Sequence, residues 1–112
     1  MMRGLWTAAT GMVCQQANLD TVANNLANVN TTGFKKSRVN FQDLMYQTLR
    51  TPGASTASGG QLASGIQVGM GAKVVAVEKI FLQGDYTQTK NQMDVAIEGQ
   101  GFFKLLNNNR EV

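Results

Sequence analysis

The sequence contains no histidine, so sites and dyads that need imidazole are excluded. It has one cysteine, Cys14, which excludes an intramolecular disulfide and a Cys-rich zinc site. Its sole proline is Pro52. Aromatics make up only 7% and charged residues only 15%. No apolar run approaches the roughly 20 residues that span a bilayer. No continuous apolar core of a cleavable secretory signal follows Met1-Met2-Arg3, because Thr7, Thr10, Gln15 and Gln16 interrupt it. The net charge of +3 is too small and dispersed to indicate nucleic acid.

What takes the place of charge is amide, hydroxyl and glycine. Ten Asn, ten Gln, ten Thr and twelve Gly are spread over 112 residues. The 43% of hydrophobic residues is ordinary for a globular chain. The surface is therefore polar without being strongly charged, and the length suits one modest domain or part of a larger one.

Residues 3–28 carry only two charges, Arg3 and Asp20. Leu5, Ala9, Met12, Gln16, Leu19, Ala23 and Leu26 alternate spacings of four and three, which places them on one helix face. Val22 and Val29 widen that face, and Gly11 weakens the helix by about 1 kcal/mol relative to Ala. The helix is expected to end between Asn28 and Thr32, with Gly33 supplying a residue that tolerates positive φ. A lone helix of this length is marginal in water. The stripe asks for a partner helix, and the rest of the chain offers none of similar length. Its order is expected to come from other copies.

Residues 33–50 open with a basic turn, Lys35, Lys36 and Arg38. Phe41, Leu44, Met45, Tyr46 and Leu49 follow at spacings that suggest a short amphipathic helix or an irregular packed stretch. Residues 51–73 hold Pro52, six of the glycines and a single charge, Lys73. That composition reads as a long loop or flexible arm. Residues 74–82 read as a strand, Gln83-Gly84-Asp85 as a turn, and residues 94–99 and 101–106 as two strands flanking Gly99-Gln100-Gly101. Residues 107–112 read as a turn and the start of another strand, which suggests a fragment or a truncated product. The expected fold is α+β: a long N-terminal amphipathic helix (1–32), a basic turn, packed segment and extended arm (33–73), and an incomplete β domain (74–112).

No catalytic constellation emerges. Gly69-Met70-Gly71 and Gly99-Gln100-Gly101 lack the third glycine and the following helix of a nucleotide-binding turn. The seven carboxylates are scattered, so no acid/base pair is suggested. Cys14 has no histidine partner, and the balance is about twenty to one for a packed thiol over a nucleophile. Lys35, Lys36 and Arg38 favour contacts with helix carbonyls or water over phosphate by about five to one. No catalytic, cofactor or metal residue is expected. The Asn-rich stretch 23–28 is the least ordinary feature. It reads equally as a frayed helix end or as a ladder of amides bonding to neighbouring helices.

The stretch ANNLANVNTTGFKKSRVNFQDLMYQ (23–47) resembles the N-terminal signature of the bacterial flagellar rod and hook proteins, carried here by Asn24, Asn25, Asn28, Thr32, Gly33 and Phe34. MMRGLWTAATGM (1–12) looks like the start of that family's N-terminal helix. TPGAS…SGIQVGMGAKV (51–74) resembles the Gly/Ser/Thr insertion of its distal-rod member. FLQGDYTQT…MDVAIEGQGFFKL (81–105) resembles its passage into a β domain. The resemblance covers nearly the whole chain.

It implies a non-enzymatic axial subunit without a cofactor. Such a subunit leaves through the flagellum-specific type III export channel without a cleaved signal and stacks into a helical tube across the periplasm. The implied partners are identical subunits, proximal rod and hook proteins and surrounding ring proteins, with no nucleic acid and no stable membrane insertion. Leu5, Ala9, Met12, Leu19, Ala23 and Leu26 would pair with a helix in the inner layer. Pro52, Gly53, Gly65, Gly69 and Gly71 would fall in an arm touching neighbouring subunits. Two alternatives remain: a proximal-rod or hook protein of the same family, or a small basic module binding an anionic polymer through Lys35, Lys36 and Arg38.

Overall fold

The structure is a computed structural model that describes residues 1–55, 57–61, 63–107, 110 and 111, with the backbone alone at 107, 110 and 111. It divides into two compact units, Met1–Ile80 and Phe81–Val112. The layout is α+β: one long helix followed by antiparallel strands.

The first unit opens with helix α1, Met2–Ala27. Its C-cap is Asn28, whose N–H donates to the Asn24 carbonyl at 3.2 Å. The Asn28 amide also donates to the Asn24 carbonyl at 2.9 Å and to Asn24 Oδ1 at 3.1 Å. Short turns follow, with Thr31 N donating to Asn28 O and Phe34 N to Thr31 O. Gly33, at φ +72, sits in these turns and not at the helix end itself. Its freedom to adopt positive φ shapes the exit of the chain after the cap.

Four strands follow: β1 (Ser37–Asp43), β2 (Tyr46–Arg50), β3 (Ile66–Gly69) and β4 (Ala72–Lys79). β1 pairs antiparallel with β4 from Ser37↔Lys79 to Asp43↔Ala72. The register shifts between Asn40 and Phe41, where β4 carries the extra residue Val75. β2 pairs antiparallel with β3 from Tyr46↔Gly69 to Arg50↔Ile66. Leu44 N donates to Gly71 O at 2.8 Å across the gap between the two pairs, and Ser55 bridges Gln61 further out. At the other end, Ile80 N donates to Lys36 O at 3.0 Å. The strands thus form one long hairpin that leaves the helix at Lys36 and returns at Ile80.

Residues 33–50 were expected to hold a short helix or an irregular packed stretch, and they hold two strands instead. The apparent helical spacing of Phe41, Leu44, Met45, Tyr46 and Leu49 straddles the break between β1 and β2. The loop expected over 51–73 is also partly strand, because β3 and the start of β4 find partners in β2 and β1. The strand expected at 74–82 is present as β4, which starts two residues earlier and ends three residues earlier, leaving residues 80–82 outside it.

Among the described residues, Cys14 (5% exposed) and Val39 (7%) are the buried hydrophobics. Cys14 lies on α1 and Val39 on β1, and α1 touches both β1 and β4. The helix therefore packs on its own hairpin, which the expectation of an unpartnered helix did not include.

In the second unit, Phe81 and Phe102 meet edge to face with ring centroids 5.6 Å apart. Gln83 Nε2 donates to Ile97 O at 3.2 Å. Asp94 N donates to Asn91 O at 3.4 Å, closing a turn. The strands expected at 94–99 and 101–106 are absent up to Leu106, since no neighbouring strand among the described residues supplies a ladder. β5 (Leu106–Asn107) pairs with β6 (Arg110–Glu111). The turn expected at Asn108-Asn109, and Val112, lie outside the described residues.

Candidate functional site

Helix α1 has two faces built from different chemistry. Thr7, Thr10, Cys14, Ala17, Thr21 and Asn25 are buried or half-buried. Their spacings of three and four form a stripe of small and polar residues. Three of its hydroxyls bond back to the helix: Thr7 to Arg3 O, Thr10 to Thr7 O and Thr21 to Ala17 O. The small side chains let the backbone of the hairpin come close.

Two contacts tie that face to the hairpin. Asn25 Nδ2 donates to Ser37 O at 2.8 Å, and Ser37 N donates to Asn25 Oδ1 at 2.9 Å. The side-chain amide thus acts as a peptide group, pairing with the first residue of β1 as a neighbouring strand would. At the other end of the ribbon, Ala72 N donates to Thr10 Oγ1 at 3.4 Å. Gly71, at φ +116, lies against the Thr10 side chain so closely that no Cβ fits.

The large residues read as a pairing seam face the other way. Leu5, Met12, Leu19 and Leu26 are 67%, 68%, 68% and 72% exposed. Residues two apart on a helix differ by about 200°, so the series 5, 12, 19, 26 lies nearly opposite 7, 14, 21, 28. Ala23 is exposed with them. Ala9 is half-buried and lines a groove of about 360 Å³ with Trp6, Val13, Cys14 and Val74.

The signature residues divide by role. Asn24 and Asn28 cap the helix, and Asn25 holds β1. Thr32 is exposed, while Phe34 is half-buried beside the turn at Gly33. Within the chain, the Asn25 amide bonds to Ser37 and the Asn28 amide to Asn24. The residues that sequence reasoning missed are Thr10, Ser37 and Ala72. The three-four repeat of Thr7, Thr10, Cys14, Ala17 and Thr21 is the available signal, fainter than the repeat of large side chains on the opposite face.

The arm glycines are packing positions. A Cβ at Gly65 would lie 2.7 Å from Arg50 O and 2.8 Å from Pro52 Cδ. A Cβ at Gly69 would meet the Tyr46 ring at 3.3 Å, the two residues being cross-strand partners. Gly53, at φ +82, follows Pro52 in a turn. Gly69 and Gly71 thus serve the hairpin.

Arg38 and Glu78, cross-strand partners in β1 and β4, form an ion pair on the surface. A side-chain hydrogen bond with Asn40, then the hydrogen bond and charge of Arg38, hold the Glu78 carboxyl below its ordinary range. Among the described residues no cluster of three or more metal-ligating side chains occurs, and no helix is long and apolar enough to cross a membrane.

Residues 5–35 match the sequence profile of the flagella basal body rod protein family. That span contains α1 from Leu5 on with its exposed large residues, the Asn caps and the turn through Gly33 and Phe34. The flagellar basal-body rod protein FlgG of Borreliella burgdorferi is 55% identical over 106 residues, covering 95% of this chain. The chain is thus similar to the flagellar basal-body rod protein family over nearly its whole length. FlgG of Caulobacter vibrioides is 45% identical over 94% of the chain. The flagellar hook protein FlgE of Helicobacter mustelae is 45% identical over 92% of the chain. The chain spans 40% of the length of these FlgG relatives and 23% of that hook protein. Within the rod family, this chain's match extends past the profile, through the whole hairpin and into the second unit.

Proposed function

We propose that this chain is part of a structural subunit of the distal rod of the bacterial flagellar basal body, self-assembling with like subunits into the axial drive shaft for motility. One observation carries the proposal: α1 presents its large apolar residues outward while its small polar face is used up by its own hairpin. An isolated globular protein buries Leu5, Met12, Leu19 and Leu26 on the inside, whereas an assembling subunit leaves them for a partner helix. The likeness to FlgG over most of the chain supports this reading.

In the assembly, residues 1–32 form the inner helical layer. Residues 33–73 form the turn and arm that reaches neighbouring subunits, its return strand running on to Lys79. Residues 74–112 lead into the outer β layer. Leu5, Ala9, Met12, Leu19, Ala23 and Leu26 pair with another helix. Pro52, Gly53, Gly65, Gly69 and Gly71 shape the subunit-contact arm. The partners are identical copies, with proximal rod and hook proteins at the ends and ring proteins around the outside. The subunit works in the basal body and is not an enzyme.

Likeness to hook protein FlgE, over a smaller share of that protein than of FlgG, is the ground for a second and less favoured reading, a hook subunit of the same family. The anion-binding reading is weaker, because Arg38 is already paired with Glu78 across the hairpin.

Deleting the encoding gene in its own bacterium and imaging isolated basal bodies by electron microscopy tests the proposal. The expected outcome is basal bodies that stop short of the distal rod and carry no hook. A complete rod lacking only the hook points to the hook reading. Normal basal bodies and normal swimming overturn both.

A further inference from the structure

We infer that α1 and the β1–β4 ribbon form a two-point clamp that fixes the direction of the arm relative to the helix within a single subunit. The observation is that the polar ties between helix and hairpin fall at the two ends of the ribbon. Asn25 grips Ser37, where β1 begins opposite Lys79. Thr10 meets Gly71 and Ala72, where β4 begins opposite Asp43.

The spacings of the two ends agree. From Thr10 to Asn25 the helix rises about 22 Å at about 1.5 Å per residue. From Ser37 to Asp43 the ribbon advances about 20 Å at about 3.4 Å per residue. Helix and ribbon can therefore lie along one another with a tie at each end and no distortion between. A single tie is a pivot, while two ties well apart remove the swivel.

The chemistry of each tie supports a fixed geometry. The Asn25 amide makes two parallel hydrogen bonds to one residue, which sets an orientation as well as a distance. The Thr10 hydroxyl donates to Thr7 O at 2.7 Å while accepting from Ala72 N, so it is itself held by the helix. Gly71 lets the strand come within contact of that hydroxyl. Between the ties, Cys14 and Val39 supply a small dry centre. With so little apolar burial, the polar ties decide the angle. The arm strands β2 and β3 continue β1 and β4 and are bridged to them by Leu44 N and Gly71 O, so they inherit the direction.

The clamp belongs to one subunit and holds whether or not the rod reading holds. Residual dipolar couplings measured by NMR on the 112-residue chain test it. In the unaltered chain, the amides of α1 and of β1–β4 are expected to fit one alignment tensor of one magnitude. Asn25→Leu and Thr10→Val each remove one tie with little change of shape. Each is expected to shrink the ribbon's tensor relative to the helix's, and the double variant is expected to separate the two. Two unrelated tensors in the unaltered chain, or one shared tensor in the double variant, overturn the clamp. If a variant loses its helix, amide exchange in the unaltered chain decides. The Ser37 and Ala72 amides are expected to exchange about tenfold or more slowly than the exposed arm-tip amide of Gly59. Equal, fast exchange at both overturns the clamp.

Discussion

Gly71 lies directly against the Thr10 side chain, with its own φ at +116, so two unrelated demands fall on one residue. The backbone needs a residue free of Cβ strain, and the helix needs space at its hydroxyl. Gly71→Ala violates both. Strained backbone and overpacking each cost about 1–3 kcal/mol. Urea denaturation of the chain is expected to show a loss of about 2–6 kcal/mol, the two costs together. Combining Gly71→Ala with Thr10→Ala is expected to recover part of the loss, since the steric component needs both side chains. Full additivity of the two substitutions would show that the close approach is not what penalises the alanine.

Leu19 and Thr21 are two positions apart on α1 and give opposite predictions. Leu19 is exposed, so Leu19→Glu removes little burial from the subunit. Its effect on the denaturation midpoint of the isolated chain is expected to stay within about 0.5 kcal/mol, as for ordinary surface changes. Under the proposed function, the same change in the flagellated cell is expected to stop rod assembly, because a charge would then sit where the proposal pairs α1 with another helix. Thr21→Lys reverses the pattern, since a long charged side chain on the covered face must displace the hairpin. A stable, well-folded Thr21→Lys chain would show that the small polar face is not used.

Glu78 gives a pH signature. Its carboxyl is held below the ordinary value of 4.5, first by Asn40 and then by Arg38. A group with a depressed folded-state pKa adds stability above its unfolded pKa and loses it as pH falls through the folded one. The Glu78 contribution is therefore expected to be constant at neutral pH and to fade below about pH 4.5. Following the Glu78 carboxyl carbon by NMR measures the shift directly. Arg38→Met is expected to move the titration only part of the way back, since the Asn40 hydrogen bond remains. A complete return to the ordinary value would assign the whole shift to Arg38.

The helix was legible because Leu5, Met12, Leu19 and Leu26 repeat every seven residues, a signal that needs only neighbours along the chain. The opposite face was not, because threonine, alanine and cysteine give a weak hydrophobic pattern and their partners lie on distant strands. Asn25 and Ser37 are close in sequence, yet the amide pairing depends on the turn at Gly33, which no spacing rule describes. The hairpin was half legible. Val74 to Val77 read as a strand from composition, whereas Phe41 was obscured by a false helical spacing and Val39 stood alone beside the basic turn. In β2 and β3 nearly every side chain is exposed, so no alternation of buried and exposed residues betrays the strand. Their register comes from backbone bonds and from glycines packed under Tyr46 and beside Pro52.

The glycines of the arm therefore make the sharpest test of whether it is a hairpin or a loose loop. A Cβ at Gly65 would crowd the Arg50 carbonyl and Pro52 Cδ, both backbone-bound and unable to swing away. Gly65→Ala is expected to open β2–β3 while leaving β1–β4 and α1 intact, because the β1–β4 ladder has its own partners. Amide hydrogen exchange reads this by region. Exchange at Gln47 and Gln67 is expected to rise about tenfold or more, with Val39 and Val77 unchanged. A flexible loop tolerates the added methyl, so unchanged exchange throughout would remove the hairpin from the arm. Under the proposed function, the same variant in the cell is expected to assemble rods that bend or break, since the proposed pairing face of α1 is untouched while the arm loses its shape.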